Sequence, residues 1–495
     1  MTVIDKQDYD KTLYSYDLGC DAASAGKPPS EHLVLFLCSS EFTDINKILR
    51  VAYGSDTVYQ NLALEALEVW KEWNKELATS TNLPAGLSRG DTLYVNNGSL
   101  AMFTTPELPP FQQQSLDNIT AAGQGHTQFV VSKPEDRMKA TELGFGSALD
   151  PFNRKSRGKP YNALLDTIGG LCYADKACLF ALHKARALGV KFIFGEQGTF
   201  KNFTYSVSDP NEVIGVKTAD GVGHGAALTI VAGGGWTPTI VPELDGLCET
   251  TGGSVLFYKI PRGSPLWDRF SSKNFPSYQI GMRDGAKGGI YGFPRDEKGI
   301  MKIGYRGTKY ASLAFYFWRS ANFILRYTNP VVQPDGTERS VPITCWNAPK
   351  LTAIPSTALE VVKGFVAEYM PEIAQHKIPL IKSRICWYND SFDNNLVVDR
   401  VPWKKGLMVA TGGSGHGFKY LPVLGRWIVD IIEGKELSGG DAEVARRWKW
   451  RSLEYGVAPY NRLMEGSAGD RTLAKQMLVG DADLMNDLGV TKSNL

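Results

Sequence analysis

The sequence predicts an α/β fold joined to a sheet-rich α+β region, and three stretches carry that reading. A helical pattern in GGLCYADKACLFALHKARALG stops at Gly189 and meets the strand pattern VKFIFG after a short link. The segment KGLMVATGGSGHGFKYLPVLGRWIVDIIEGK runs from a strand, residues 407–410, through a glycine-rich loop into a helix. Between the two, residues 250–305 hold SVLFYKI, GGIYGFP and IMKIGYRG, which read as an antiparallel sheet.

Taken in order, the first 31 residues are weakly patterned, and HLVLFLC from His32 is a buried-strand candidate. Leu62, Leu64, Leu67, Val69 and Trp70 then recur at helical spacing, with Glu65, Glu68 and Lys71 facing out. Residues 90–160 read as irregular, broken by Pro106, Pro109 and Pro110. In the next helix Ala177, Phe180, Ala181 and Ala185 share one side. EVIGVKTADGVGHGAALTIVAGGGW reads as a strand pair followed by a buried strand, residues 227–232, closed by a glycine triplet and Trp236. STALEVVKGFVAEYM is a helix that ends before Pro371.

Composition narrows the function. The 495 residues are enough for about two to four domains. With 54 basic and 52 acidic residues the net charge is +2, too small to hold nucleic acid or an anionic membrane, so a small-molecule partner is expected. Seven cysteines, Cys20, Cys38, Cys172, Cys178, Cys248, Cys345 and Cys386, form no CxxC pair and suit a reducing compartment. The six histidines form no cluster at ligand spacing, so no metal site is expected. The polar N-terminus lacks the apolar core of a signal peptide, and no stretch is long enough to span a bilayer. The expected location is intracellular, cytoplasmic or peroxisomal; the C-terminal KSNL is only a loose match to the SKL peroxisomal address. The oligomeric state is not legible, and a monomer is compatible with the sequence.

Several motifs carry candidate chemistry. In Gly412, Gly413, Ser414, Gly415, His416 and Gly417, an ordinary turn would also use glycine. Four glycines in six residues ahead of Phe418 and Lys419 at a helix start point instead to backbone N–H groups approaching a ligand. Gly233, Gly234 and Gly235 are either a similar seat or a simple turn, and Gly221, Gly223 and Gly225 read as a turn. Alternation in IMKIGYRG puts Met301, Ile303 and Tyr305 on one face and Lys302, Gly304 and Arg306 on the other. Lys302 is then either a solvated strand lysine or a cation aimed into a closed site. Cys386 reads by default as a small buried apolar side chain.

Together, TDINKILRVAYGSD, GGLCYADKA, AGGGW, YGFP with MKIGYRG, ICWYNDSFDNNLVVD and ATGGSGHGFK, in this order, resemble the sarcosine-oxidase and fructosyl-amino-acid-oxidase family of flavoenzymes, which includes the fungal pipecolate and saccharopine oxidases. The resemblance implies a Rossmann-like FAD-binding domain from residues 1–95, 160–250 and 385–440, a substrate domain from 96–159 and 251–384, and an extension over 441–495. It implies FAD bonded covalently to Cys386, Lys302 near flavin N5 accelerating reduction of O2, Lys47 beside the flavin, and residues 412–417 along its pyrimidine end. It also implies Arg50 and Lys419 clamping the substrate carboxylate, with Tyr291 and Tyr388 lining the amine pocket. The implied reaction oxidises a C–N bond of a secondary or N-substituted amino acid to an imine while O2 becomes H2O2. Two alternatives stand beside it: a fructosyl amino acid as substrate, or a non-catalytic fold that has lost FAD.

Three departures accompany the resemblance. No GxGxxG opens the chain, where the family's nucleotide loop belongs. ASLAFYFWRSANFILRY, residues 311–327, interrupts the pattern with neither helical nor alternating periodicity. Both read as artefacts of gene prediction, a wrong first exon and a retained intron. Arg306 stands where sarcosine enzymes carry a histidine, which implies a different or larger substrate, acidic or aromatic.

Overall fold

Short runs of apolar and β-branched residues build a six-stranded sheet in the order Val397–Arg400, Leu407–Thr411, Leu228–Val231, His32–Leu35, Thr2–Ile4, Lys191–Ile193. The strands run parallel except for the hairpin that pairs the first two. The computed structural model describes residues 2–4, 32–35, 45–281, 289–307, 326–344, 351–452, 467, 469–480 and 484. Most of the N-terminal stretch that lacks GxGxxG, residues 311–325 of the insertion, Cys20, Cys38, Cys345 and the C-terminal KSNL lie outside the described residues.

A parallel sheet covered on both faces needs apolar residues at every strand position, which LTIV and LMVAT supply. Ile230, Met408 and Ala410 face a core shared with the helices Thr57–Thr79, Ala174–Ala187 and Leu421–Ile432. Val231, Leu407 and Val409 face the other way, against Val213, Val216, Val241 and Leu244. The first helix begins where Asp56 accepts a hydrogen bond from the Tyr59 N–H, and it buries Leu62, Leu67, Trp70, Trp73 and Leu77 along one side. Trp70 Nε1 also donates to Lys419 O at 2.7 Å, fixing this helix to the loop that follows residue 411.

The second sheet has eight strands in the order Leu380–Ser391, Cys248–Lys259, Ile300–Tyr305, Ile290–Gly292, Ser277–Ile280, Ser99–Phe103, Asn162–Asp166, Gln128–Val130. The antiparallel arrangement expected over 250–305 is present, and Ser277–Ile280 additionally pairs parallel with Ser99–Phe103. The reading of 90–160 as irregular is corrected. That region supplies strands to this sheet and two helices, Pro110–Ala121 and Pro134–Glu142. Their prolines start the helices, since the first helical position needs no N–H partner and proline presets its φ. The turn expected at Gly221, Gly223 and Gly225 is made at Gly221, φ 88°, while Gly223–Gly225 is itself a short strand.

Strand alternation sorts the second sheet into a packing face and a free face. Leu256, Tyr258, Met301, Ile303, Tyr305, Ile385 and Trp387 pack with Ala358, Val362, Phe365 and Val366 of the helix Ser356–Tyr369. Full burial of each large apolar side chain contributes about 1.5–3 kcal/mol, so this face anchors the sheet. Tyr327, the last residue of the insertion, is built into the same core and exchanges backbone hydrogen bonds with Gly252. Among the described residues no helix is long and apolar enough to cross a membrane, and no group of three His, Cys, Asp or Glu residues is placed to hold a metal ion.

Candidate active site

The free face of the eight-stranded sheet carries the chemistry. Along Leu380–Ser391 it presents Cys386, Tyr388 and Asp390; along Ile300–Tyr305, Lys302 and Gly304; and on the next strand, Tyr291. Cys386 stands opposite Gly253, Lys302 opposite Phe257, and Tyr291 opposite Gly304. A Cβ on Gly304 would sit 2.1 Å from the Tyr291 ring, so glycine here is what lets that ring lie across the sheet. The Tyr291 and Tyr388 hydroxyls meet at 3.4 Å, and Cys386 and Tyr388 share a small apolar cluster with Val255 and Phe257. Burial pushes the Tyr388 phenol far above its ordinary range, so it stays protonated.

Lys302 is fully buried, which rules out the solvated reading. Its Nζ donates to Asn46 O at 2.6 Å and lies 4.3 Å from the Phe293 ring centroid. Asn46 precedes the strand Lys47–Leu49, which pairs with Gly170–Cys172; Lys47, opposite Cys172, is half-buried. The chain then turns through Arg50 to Tyr53. Asp166 steadies the turn by accepting the Val51 N–H at 3.2 Å, and the Arg50 guanidinium stacks 4.3 Å from the Tyr53 ring centroid.

On the opposite side, the glycine loop follows Leu407–Thr411 as expected. Gly412 and Gly415 take φ of 77° and 74°, and Ser414, at 49°, holds the same left-handed backbone with side-chain bonds. Its Oγ donates to Gly412 O and accepts the Ser391 N–H. Three N–H groups of the loop are committed internally, Ser414 to Asn389 O and His416 and Gly417 to Gly413 O, so fewer remain for a ligand than the glycine count suggests. The glycine triplet closes against Asn389, whose Nδ2 donates to Gly234 O at 2.8 Å.

The loop delivers Lys419, buried, to 2.6 Å from Tyr53 Oη, which also accepts from the Tyr420 hydroxyl. Arg50 and Lys419, far apart in sequence, thus meet on one tyrosine. Burial raises the Tyr53 phenol to about 12. His416 packs its edge on Tyr59 at 4.8 Å between centroids, and its Nε2 lies 2.9 Å from Asn394 O. A carbonyl only accepts, so Nε2 carries the proton. Burial first, then repulsion by Lys419, Arg50 and Arg306, lowers the His416 pKa to about 3, and the ring is neutral.

Arg306 leaves the end of Ile300–Tyr305 on the same face as Lys302. Arg326 pairs with Asp390 and stacks 4.4 Å from the Tyr388 ring centroid. Sequence reasoning missed Asn46, Tyr53, Arg326 and Asp390. Tyr53 stood in plain view in VAYGSD, three residues after Arg50, whereas Arg326 lay in the discounted insertion.

This donor set fits the isoalloxazine half of FAD. It offers a thiol and two aromatic rings on a flat sheet face, a buried ammonium, and three buried polar atoms, Asn46 Oδ1, Arg306 Nε and His416 Nδ1, without a partner among the described residues. Cys386, Lys302 and Asn46 would hold its ring system. The N-terminal region where the resemblance expects the nucleotide loop falls largely outside the described residues.

Comparison with known proteins agrees. The chain is 27% identical over 423 residues to L-saccharopine oxidase of Schizosaccharomyces pombe, covering 83% of this chain and 84% of that protein. It is 26% identical over 396 residues to N-methyl-L-tryptophan oxidase of Salmonella dublin, covering 79% and 84%. Its fold superposes with a TM-score of 0.71 on a modified fructosyl peptide oxidase from Aspergillus nidulans, at 23% identity, covering 96% of this chain and 98% of that one. A fructosyl peptide oxidase from E. terrenum gives 0.70 at 21% identity, covering 100% and 98%. The FAD dependent oxidoreductase family, DAO, matches residues 40–431, a span that holds Lys302, Cys386, the Arg50 turn and the glycine loop together, and the chain belongs to that family.

Proposed function

We propose that this enzyme oxidises the C–N bond of an N-substituted α-amino acid to an imine and returns the electrons to dioxygen as H2O2. The observation that carries this reading is the meeting of Arg50 and Lys419 on Tyr53. A guanidinium over the Tyr53 ring and an ammonium held on its shielded hydroxyl supply two cationic donors suited to a carboxylate, the group every amino acid has. Arg50 donates to Ala52 O and forms no ion pair among the described residues, which supports an anionic group as its partner.

FAD, when bound, would supply the two-electron acceptor: the C–H beside nitrogen gives up a hydride equivalent and the N–H a proton as C–N becomes C=N, and dioxygen with two electrons and two protons becomes H2O2. The protein's part is position and charge. Arg50 and Lys419 hold the carboxylate at one end, and Tyr291 and Tyr388 close over the nitrogen substituent and exclude water. Lys302 supplies a fixed cation where dioxygen gains negative charge, and its burial strengthens that effect. Cys386, on the same face two residues from Tyr388, is the proposed covalent tether.

The test begins with the visible spectrum of the purified protein before and after acid precipitation. Flavin absorbance that stays with the pellet, and moves to the supernatant in Cys386→Ala, supports the cofactor and its tether. Peroxide assays across N-methyl, N-carboxyalkyl, cyclic secondary and fructosyl amino acids then define the reaction. A colourless protein, or a flavoprotein that releases no peroxide with any of these, overturns the proposal.

A further inference from the structure

Antiparallel pairing sets Glu249 directly opposite Asp390, so both carboxylates lie on the face that carries Cys386 and Tyr388. Opposite side chains on one face stand about 5 Å apart at Cβ, and like charges so placed repel. Both residues are buried, and each takes a cation from another part of the chain. Arg326 pairs with Asp390, which also accepts from the Thr251 hydroxyl at 2.7 Å, and Arg471 pairs with Glu249. The two arginines arrive on neighbouring segments: the Thr328 N–H donates to Arg471 O at 3.0 Å, and the Leu473 N–H to Thr328 O at 2.9 Å.

Only one of these pairs reaches the site directly. Arg326 lies 4.4 Å from the Tyr388 ring centroid, and its Nη2 stands 3.3 Å from where a Cβ on Gly415 would be. The same side chain spans to Asp390, and Glu249 is directly opposite that residue. Without Arg471, Glu249 would be a second buried carboxylate in reach of Arg326, and a buried charge that loses its partner draws strongly on any cation near it. Leu473 is buried in the core on the other face of the sheet, so the segment stays docked when only the Arg471 charge is removed.

We propose that Arg471 is a positioning residue of the active site: by occupying Glu249 it leaves Arg326 to Asp390 and so holds the Arg326 guanidinium across Tyr388. The consequence for ligands rests on the reaction proposed above, whereas the side-chain geometry does not. Two measurements on the holoenzyme therefore run in parallel. Crystal structures of the variants locate Arg326, and titrations with benzoate and acetate follow the flavin absorption band and the melting temperature.

In Arg471→Met, Arg326 should leave Asp390 for Glu249, and benzoate, whose ring extends from the carboxylate toward Tyr388, should bind at least about tenfold more weakly. Acetate, too short to reach that ring, should change less than about threefold. Adding Glu249→Gln removes the competing charge, so the double variant should return Arg326 to Asp390 and bind benzoate within about threefold of the unaltered enzyme. A merely structural anchor would give no such rescue. With N-substituted amino acids, Arg471→Met should raise KM and spare kcat. Arg326 still on Asp390 in Arg471→Met, or a double variant as weak as the single one, overturns the inference. If Arg471→Met does not fold, the double variant decides alone: unaltered benzoate affinity supports the proposal, and a loss of about tenfold or failure to fold overturns it. Absence of turnover with every amino acid, or of carboxylate binding, counts against the reaction and leaves the crystal structures to judge Arg471.

Discussion

Replacing Tyr53 with phenylalanine removes one oxygen and tests the carboxylate clamp directly. That oxygen accepts from Lys419 Nζ at 2.6 Å and from the Tyr420 hydroxyl, and Lys419 is 5% exposed, so water cannot readily take its place. A hydrogen bond to a charged group contributes about 1.5–3 kcal/mol, which corresponds to roughly ten- to one-hundred-fold in an equilibrium constant. The loss should fall on binding, because the ammonium is no longer fixed against the substrate, while electron transfer from bound substrate is less affected. Stopped-flow reduction without oxygen separates the two: the apparent Kd should rise at least about tenfold, and the limiting rate should fall less than about threefold. Tyr53 titrates near 12, raised by burial, so the hydroxyl is protonated throughout the working range and the effect should be flat between pH 6 and pH 10. Tyr53→Ala should cost more, since it also removes the ring beneath Arg50, worth about 0.5–2 kcal/mol. An unchanged Kd in Tyr53→Phe, or a fall in rate with Kd intact, would refute the clamp.

Other substitutions examine separate parts of the site. Lys302→Met should slow reoxidation by dioxygen by about two to three orders of magnitude while anaerobic reduction changes little; equal slowing of both half-reactions would contradict its assigned role. Gly304→Ala forces a methyl into the Tyr291 ring, and thermal melts should show a loss of about 1–3 kcal/mol together with weaker substrate binding. His416 has a folded-state pKa of about 3 against 6.5 when free, so unfolded chains take up a proton that the folded chain refuses. Stability therefore falls as pH drops below 6.5 and levels off near 3, and His416→Asn should melt with a shallower pH dependence across that window than the unaltered protein.

What could be read from the sequence follows from what one element controls. The alternation of Met301, Ile303 and Tyr305 against Lys302, Gly304 and Arg306 decides which side chains enter the core, and the sheet obeys it. Helical spacing likewise marked Leu62, Leu67 and Trp70, all buried. The irregular reading of residues 90–160 failed because Pro106, Pro109 and Pro110 signal breaks, although the same ring that ends a helix also begins one, as at Pro110 and Pro134. Composition could not say whether Lys302 met water or a ligand, because that depends on a carbonyl 256 positions away, at Asn46.

The same limit explains Tyr53. Its partner Lys419 lies 366 positions along the chain, and no periodicity links them. Arg50 and Lys419 could be named only through family resemblance, and the tyrosine on which they meet could not be named at all. The insertion shows the opposite failure: lacking a pattern, it was set aside, yet Arg326 pairs with Asp390 and Tyr327 bonds to Gly252 in the second strand of the eight-stranded sheet. Complementary DNA sequencing should decide its status. A transcript without residues 311–327 would remove Arg326, the buried cation paired with Asp390, and the shorter chain should melt at a lower temperature.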